Sequence, residues 1–238
     1  MFRKTVVFII LTALVFSFAS CADTKKVMTH EEYVRAALSE EVTVETYVQA
    51  KQSWWDGKAT FYTQAEDGAY FIYEMPCTEE EFDSLTVGTK IRVSGTKQEW
   101  NGEIEIGNAT FEVLEGRFVA EPEDVTELLG TDGLEAHQNE LVFFRDMKVE
   151  PKIAPDGSTA AFLYKWDGSG GYGDDLYFDV SHNGRTYTFT IRAYLCGKDT
   201  EVYKAVEALS VGDVIDLTGF LYWYNGVNPH ITALSHAD

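Results

Sequence analysis

Val87-Gly88-Thr89-Lys90-Ile91-Arg92-Val93-Ser94-Gly95 and Val211-Gly212-Asp213-Val214-Ile215-Asp216-Leu217-Thr218-Gly219 are two copies of one pattern, V-G-x-x-I-x-[VL]-[ST]-G. Their offset of 124 residues (211 − 87) is kept by a second block, Trp100-Asn101-Gly102 against Tyr224-Asn225-Gly226. A constant offset across two separate blocks marks an internal repeat. Inside each copy apolar and polar residues alternate, the period of a strand with one buried face. The Asn-Gly that follows suits a tight hairpin, because both residues tolerate positive φ.

Working outward, a helix precedes each copy, over residues 78–85 with Thr78 as N-cap and over residues 200–209. Before the first helix, Val42, Val44, Thr46, Val48 and Ala50 alternate with polar neighbours, and two further strands flank the turn Glu66-Asp67-Gly68. Before the second, strands are expected over 141–149, 161–166, 176–180 and 186–195, with His182-Asn183-Gly184 as a hairpin turn. Five strands with a helix between the third and fourth is the plan of the OB barrel. The expected fold is therefore dominated by β-structure, with two tandem five-stranded OB-type barrels, residues 40–116 and 138–238. A helical linker over 117–137, opening at Glu121-Pro122-Glu123-Asp124-Val125 and ended by Gly130, joins them. Residues 21–39 read as a tether and a short helix, with Thr29 and Glu32 forming a capping box.

The repeated strand and aromatic-Asn-Gly turn resemble the fourth strand and hairpin of extracellular bacterial OB domains, some of which accompany secreted nucleases. As a whole the chain is similar to a group of gut-Firmicutes lipoproteins without an assigned activity. That resemblance implies a fold and an exported location. It implies no particular ligand, because OB barrels serve many unrelated partners.

Residues 1–20 read as a lipoprotein signal peptide. Arg3 and Lys4 precede an apolar run to Phe18, too short for a membrane span of roughly 18 or more apolar residues. Phe18-Ala19-Ser20-Cys21 resembles a lipobox, with Phe where Leu is usual, and implies that Cys21 carries the lipid. The expected location is extracytoplasmic, with the membrane met only through that anchor.

The formal charge is −20, and subtracting the two positive charges Arg3 and Lys4 leaves −22 for the rest. Phosphate binding draws on a basic footprint, so net charge argues against nucleic acid as a partner. His30, His137, His182, His230 and His236 are dispersed, without HExxH or zinc-site spacing, and no GxSxG elbow occurs. No metal, cofactor or catalytic constellation is expected. Gly168-Ser169-Gly170-Gly171-Tyr172-Gly173 matches GxGxxG, but a strand follows it where a dinucleotide site needs a helix. Asp174 and Asp175 beside that loop are weighed between calcium ligands and a solvated turn, and the turn is preferred. Cys77 and Cys196, at equivalent places in the repeats, read as buried free thiols.

The aromatic residues are the strongest functional signal. Trp54 and Trp55 fall between strands one and two of the first barrel, and Trp100 in its strand four–five hairpin. In OB barrels these loops flank one binding face. Phe220, Tyr222 and Tyr224 share one parity of a strand in the second barrel, as a ligand platform or a seam between barrels. The leading expectation is a non-catalytic binding module for a glycan, peptide or envelope protein that uses these six residues. The alternatives are single-stranded nucleic-acid binding by stacking, and a structural or assembly role without a small ligand.

Overall fold

The computed structural model describes residues 26–237. The signal segment 1–20 and Cys21 lie outside the described residues. The first helix, α1 (His30–Arg35), starts at the Thr29–Glu32 capping box. It stops at Ala36, where Lys97 Nζ donates to the carbonyls of Tyr33, Val34 and Ala36 at 2.8–2.9 Å. A cation on the last carbonyls satisfies acceptors that the helix itself leaves open.

Strands β1 (Glu41–Lys51), β2 (Lys58–Ala65) and β3 (Gly68–Pro76), helix α2 (Glu79–Ser84), and strands β4 (Thr89–Trp100) and β5 (Glu103–Arg117) follow. They close a barrel in the order β1-β2-β3-β5-β4, with β3 and β5 parallel. Val44, Val48, Phe61, Ile72, Ile91, Val93 and Ile106 fill it, all buried.

The second sheet comprises β6 (Glu123–Asp124), β7 (Leu141–Glu150), β10 (Phe162–Tyr164), β11 (Leu176–His182), β12 (Arg185–Ile191), β13 (Val214–Phe220) and β14 (His230–His236). A small hairpin of β8 (Lys152–Ile153) and β9 (Thr159–Ala160) stands apart, and α3 (Glu201–Glu207) precedes β13. The order is β10-β11-β12-β14-β13-β7-β6, and β11 also pairs with β7. That pairing brings β7-β11-β12-β14-β13 round on itself in the order of the first barrel, with β12 and β14 as the parallel pair.

Two expectations need correcting. The strand over 161–166 is not a barrel stave; β10 pairs only with β11 and belongs to the excursion between β7 and β11. The linker over 117–137 is not an α-helix. Glu123 and Asp124 pair with Val142 and Phe143, and two 3-10 turns, Thr126–Leu128 and Asp132–His137, follow. Val125, Leu129 and Leu134 are buried in the second core, so sheet pairing and burial outweigh the local helix signal.

The repeated glycine has a physical reason. Gly95 and Gly219 both sit at register shifts in the fourth barrel strand. A Cβ would lie 2.7 Å from the Gly107 carbonyl oxygen at Gly95 and 2.4 Å from the His230 carbonyl oxygen at Gly219. The strand bends there to close the barrel, and the facing backbone leaves no room for a side chain.

Candidate ligand-binding groove

The barrels meet along a seam. Tyr62 and Phe71 project outward from β2 and β3 and pack on Phe220, with Tyr222, Leu141 and Leu195 at the edge. Tyr62 stacks on Phe220 at 4.6 Å between centroids, and Tyr222 stacks on His230 at 4.1 Å. Gln52 Nε2 donates to the Tyr62 hydroxyl at 3.0 Å, and that hydroxyl is 2.6 Å from His230 Nδ1. With its acceptor side taken by Gln52, the Tyr62 proton is free to go to a neutral imidazole. Burial first and Arg192 second hold the His230 pKa well below the usual value, which keeps the ring neutral. The equivalent turns of the two repeats touch, Asn225 N donating to Asn101 O at 2.7 Å. Ser53 N donates to Tyr194 O at 2.7 Å on the other side.

Above the seam runs a groove of about 710 Å³, walled by both barrels. The first barrel contributes Gln52, Phe71, Tyr73 and Trp100; the second contributes Lys152, Trp166, Tyr177, Thr188, Arg192, Tyr222, Tyr224, Asn228 and His230. Two shallower hollows extend it. One shares Gln52, Tyr73 and Arg192 with it and adds Trp55, Lys58 and Glu74; the other shares Trp166 and Tyr177 and adds Lys165, Asp174 and Asp175. Trp55, Tyr73, Trp100, Trp166, Tyr194 and Tyr224 are all exposed, Trp100 at 61% and Trp166 at 74%. Large exposed aromatics along a concave face are the arrangement from which flat rings can be stacked.

The six aromatic candidates divide. Trp100, Tyr222 and Tyr224 line the groove and Trp55 lines its extension. Trp54 does not: it packs on the first core and donates Nε1 to Cys77 O at 2.9 Å. Phe220 is 3% exposed and belongs to the seam. Tyr73, Trp166, Tyr177, Tyr194 and Arg192 escape the sequence reading. Tyr73 alone carried a signal, as the outward parity of a strand two residues beyond Phe71.

The glycine loop borders the second hollow through Gly173, and the two carboxylates after it are engaged by hydrogen bonds. Asp174 Oδ2 accepts from Gly171 N at 3.0 Å, and Asp175 holds Arg192 and accepts from Ala193 N at 2.7 Å. Asp174 thus holds the loop itself, and Asp175 holds the chain that follows β12. Among the described residues, Glu123, His137 and Glu140 bring ligand atoms within 4.8 Å of one another, a grouping that dispersed histidines in sequence did not suggest. His137 Nδ1 is 2.8 Å from Glu140 Oε2, and the pair ties the 3-10 turn to the start of β7. Cys77 and Cys196 are free and buried.

Two carboxyls stand out electrostatically. Burial, followed by the charge of Glu74, pushes Glu105 up to about 7. Burial pushes Glu103 up to about 8, against hydrogen bonds from the Trp223 backbone and Gln138 and the nearness of the Asn139 amide.

The groove also departs from the charge of the chain. Lys58, Lys152, Lys165 and Arg192 line it and its extensions, against Glu74, Asp174 and Asp175, in a molecule whose formal charge is −20. Each of these cations has a carboxylate partner: Lys58–Glu74 at 2.5 Å, Lys152–Asp179 at 2.7 Å, Lys165–Asp174 at 3.8 Å and Arg192–Asp175.

No known family profile matches the chain, and no curated protein matches it. Solved structures match in fold. A murine DNA-binding protein bound with double-stranded DNA is 12% identical, over 82% of this chain and 96% of that one, with a TM-score of 0.38. The Ifi202 HINa domain in complex with 20-bp double-stranded DNA is 13% identical, over 83% and 93%, with a TM-score of 0.36. The single-stranded DNA-binding protein from Thermus aquaticus is 14% identical, over 85% and 95%, with a TM-score of 0.25. At these identities the likeness concerns the OB-type fold alone. The expectation that charge sets nucleic acid aside is corrected: proteins of similar fold are described with DNA, and the −20 of the whole chain does not describe a groove whose four cations are each balanced by one carboxylate.

Proposed function

We propose that the protein is a non-catalytic binding protein whose interbarrel groove takes an extended polymer of flat rings, and that single-stranded nucleic acid is the first candidate. The observation that carries this reading is the row of exposed aromatics, Trp55, Tyr73, Trp100, Tyr224 and Trp166, along one groove with four cations on its walls. Stacking supplies sequence-tolerant affinity, about 1–3 kcal/mol per base. Phosphates then exchange with carboxylates already paired to Lys58, Lys152, Lys165 and Arg192, so the salt dependence is shallow compared with that of a free basic patch.

A second reading, an oligosaccharide, is favoured by the neutral donors and acceptors Gln52, Thr188 and Asn228 beside the same rings. Sugars need stacking and hydrogen bonds but no cation. Titration of the protein with fluorescent single strands and with a neutral glycan panel, at two salt concentrations, separates the readings. Trp100→Ala and Trp166→Ala are each expected to weaken binding by roughly 5- to 150-fold, the equivalent of about 1–3 kcal/mol. No binding of either polymer at low salt, or binding unchanged in both variants, overturns the groove as the site.

We further propose that the chain is exported and held at the membrane by a lipid on Cys21, on the strength of the Phe18-Ala19-Ser20-Cys21 motif. Labelled fatty acid should enter the native protein and not Cys21→Ala; equal labelling removes the anchor.

A further inference from the structure

Glu103 opens β5 directly after the Asn101-Gly102 turn and is fully buried. Its Oε2 accepts from Trp223 N at 2.8 Å and from Gln138 Nε2 at 3.3 Å. Trp223 belongs to the second barrel, on the segment that carries Tyr222 and Tyr224, and Gln138 to the chain leading into it. The carboxyl is thus a clasp between barrels. Its other oxygen, Oε1, is buried without a hydrogen-bond partner, and so is Asn139 Oδ1. The Asn139 amide cannot be turned round without loss, because its Nδ2 donates to Ile104 O at 3.1 Å. It stands beside Glu103, and it would favour the ionised carboxyl only through that nitrogen, which is turned to Ile104 O. Two buried acceptors on neighbouring side chains lack a donor, and a buried acceptor left unpaired is costly. A carboxylate can only accept, whereas a carboxylic acid carries one O–H.

We propose that Glu103 is a neutral carboxylic acid that latches the barrels, donating its proton from Oε1 to Asn139 Oδ1 while Oε2 holds the Trp223 backbone, and that loss of this proton to solvent loosens the wall of the groove. The groups acting on one another around it bring no compensating charge. Glu105 shares its strand, and Tyr33 from α1, Tyr62 from β2 and Tyr222 after β13 each feel its charge. Lys97 on β4 is committed to the carbonyls that end α1. Burial and Glu105 raise the carboxyl to about 8, so the acid form prevails at neutral pH.

The latch stands apart from the identity of the polymer, and its test uses no ligand. Glu103→Gln copies the neutral acid: its amide donates to Asn139 Oδ1 and its oxygen accepts from Trp223 N. A carboxyl raised from 4.5 to about 8 gives stability that falls as pH rises through that window and levels off above it. The unfolding equilibrium of the native protein is expected to shift against that of Glu103→Gln by on the order of a thousandfold between the ends of the window. Spin labels placed one on each barrel should show a broadened distance distribution above pH about 8 in the native protein and none in the variant. Parallel stability profiles, or a Glu103→Gln protein less stable than the native one at the acid end, overturn the latch. Should the variant fail to fold, the carboxylic C=O stretch of glutamate-labelled Glu105→Gln protein decides. A band at pH 7 that vanishes by pH 9.5 supports the latch, and its absence at pH 7 refutes it.

Discussion

Replacing Phe220 by Ala tests whether the two barrels form one body. Phe220 ends β13 with 3% of its surface exposed, stacked on Tyr62 at 4.6 Å across the seam. Tyr62 in turn meets Phe71 edge-on at 5.1 Å, and Phe71 meets Tyr222 at 5.3 Å. Removal of a buried Phe ring costs about 3–5 kcal/mol, of which the aromatic stacking is about 0.5–1.5. Among the described residues the apolar cluster of the seam has three buried members, Tyr62, Phe71 and Phe220, so neighbours at its edge can close part of the gap. The expected loss therefore falls near the lower end, ~3 kcal/mol. In a cooperative unit of this size each kcal/mol lowers Tm by roughly 2–4 °C, so a fall of about 6–12 °C is expected. Phe144→Ala is the control. Phe144 is equally buried but lies inside the second barrel, against Phe189 at 4.8 Å. Both variants should lose comparable stability in a denaturant titration, but only Phe220→Ala should broaden the interbarrel distances seen by scattering. A loss below ~1 kcal/mol for Phe220→Ala, with unchanged scattering, would refute the seam as a packed core.

Adjacent tryptophans should behave oppositely. Trp54→Phe leaves the Cys77 carbonyl without its donor and should cost about 1–3 kcal/mol in urea unfolding with ligand affinity unchanged, while Trp55→Ala should leave stability within about 0.5 kcal/mol. If Trp54→Phe weakens binding as much as Trp100→Ala, the core placement of Trp54 is wrong. Gly219→Ala and Gly95→Ala should each destabilise by about 1–3 kcal/mol in the same assay, since the added methyl meets a carbonyl oxygen of the facing strand at 2.4 and 2.7 Å. A cost below about 0.5 kcal/mol at both would remove the steric account of the repeated glycine.

The barrels were legible because their signals are local and doubled. Alternation along Val87–Gly95, the Asn-Gly turns and the capping threonines each dictate one element, and the second copy checks the first. Asn101 and Asn225 do adopt positive φ, at 52° and 53°, as the turn requires. The linker was misread because Pro122-Glu123-Asp124 is a respectable helix start in isolation, while the pairing with Val142 and Phe143 that overrides it lies about twenty residues away. The groove was half legible for a similar reason. Trp100 and Tyr224 sit on turns that the repeat places, and both line it. The register shift at Thr218/Gly219 lets both Phe220 and Leu221 be buried, which simple parity cannot anticipate. Trp166 and Arg192 reach the groove from the β10 excursion and from the chain after β12. Nothing local to either distinguishes it from a surface residue.

The groove exists only because the barrels are fixed to one another. Its aromatic rings come from both, Tyr73 and Trp100 from one and Trp166, Tyr177, Tyr222 and Tyr224 from the other. A single barrel would present a few rings on an open face and, at Tyr62, Phe71 or Phe220, an uncovered apolar patch. Joining them buries that patch and turns the remaining rings into facing walls. The apparent dissociation constant of any ligand that spans both walls is then its intrinsic value divided by the fraction of molecules with the seam closed. Seam, latch and ligand are coupled through that fraction. A bound polymer that touches both walls must in turn stabilise the closed arrangement, by an amount set by its concentration relative to its dissociation constant. Whole-chain charge is an average over the acidic exterior and does not describe the balanced cations and carboxylates along the groove.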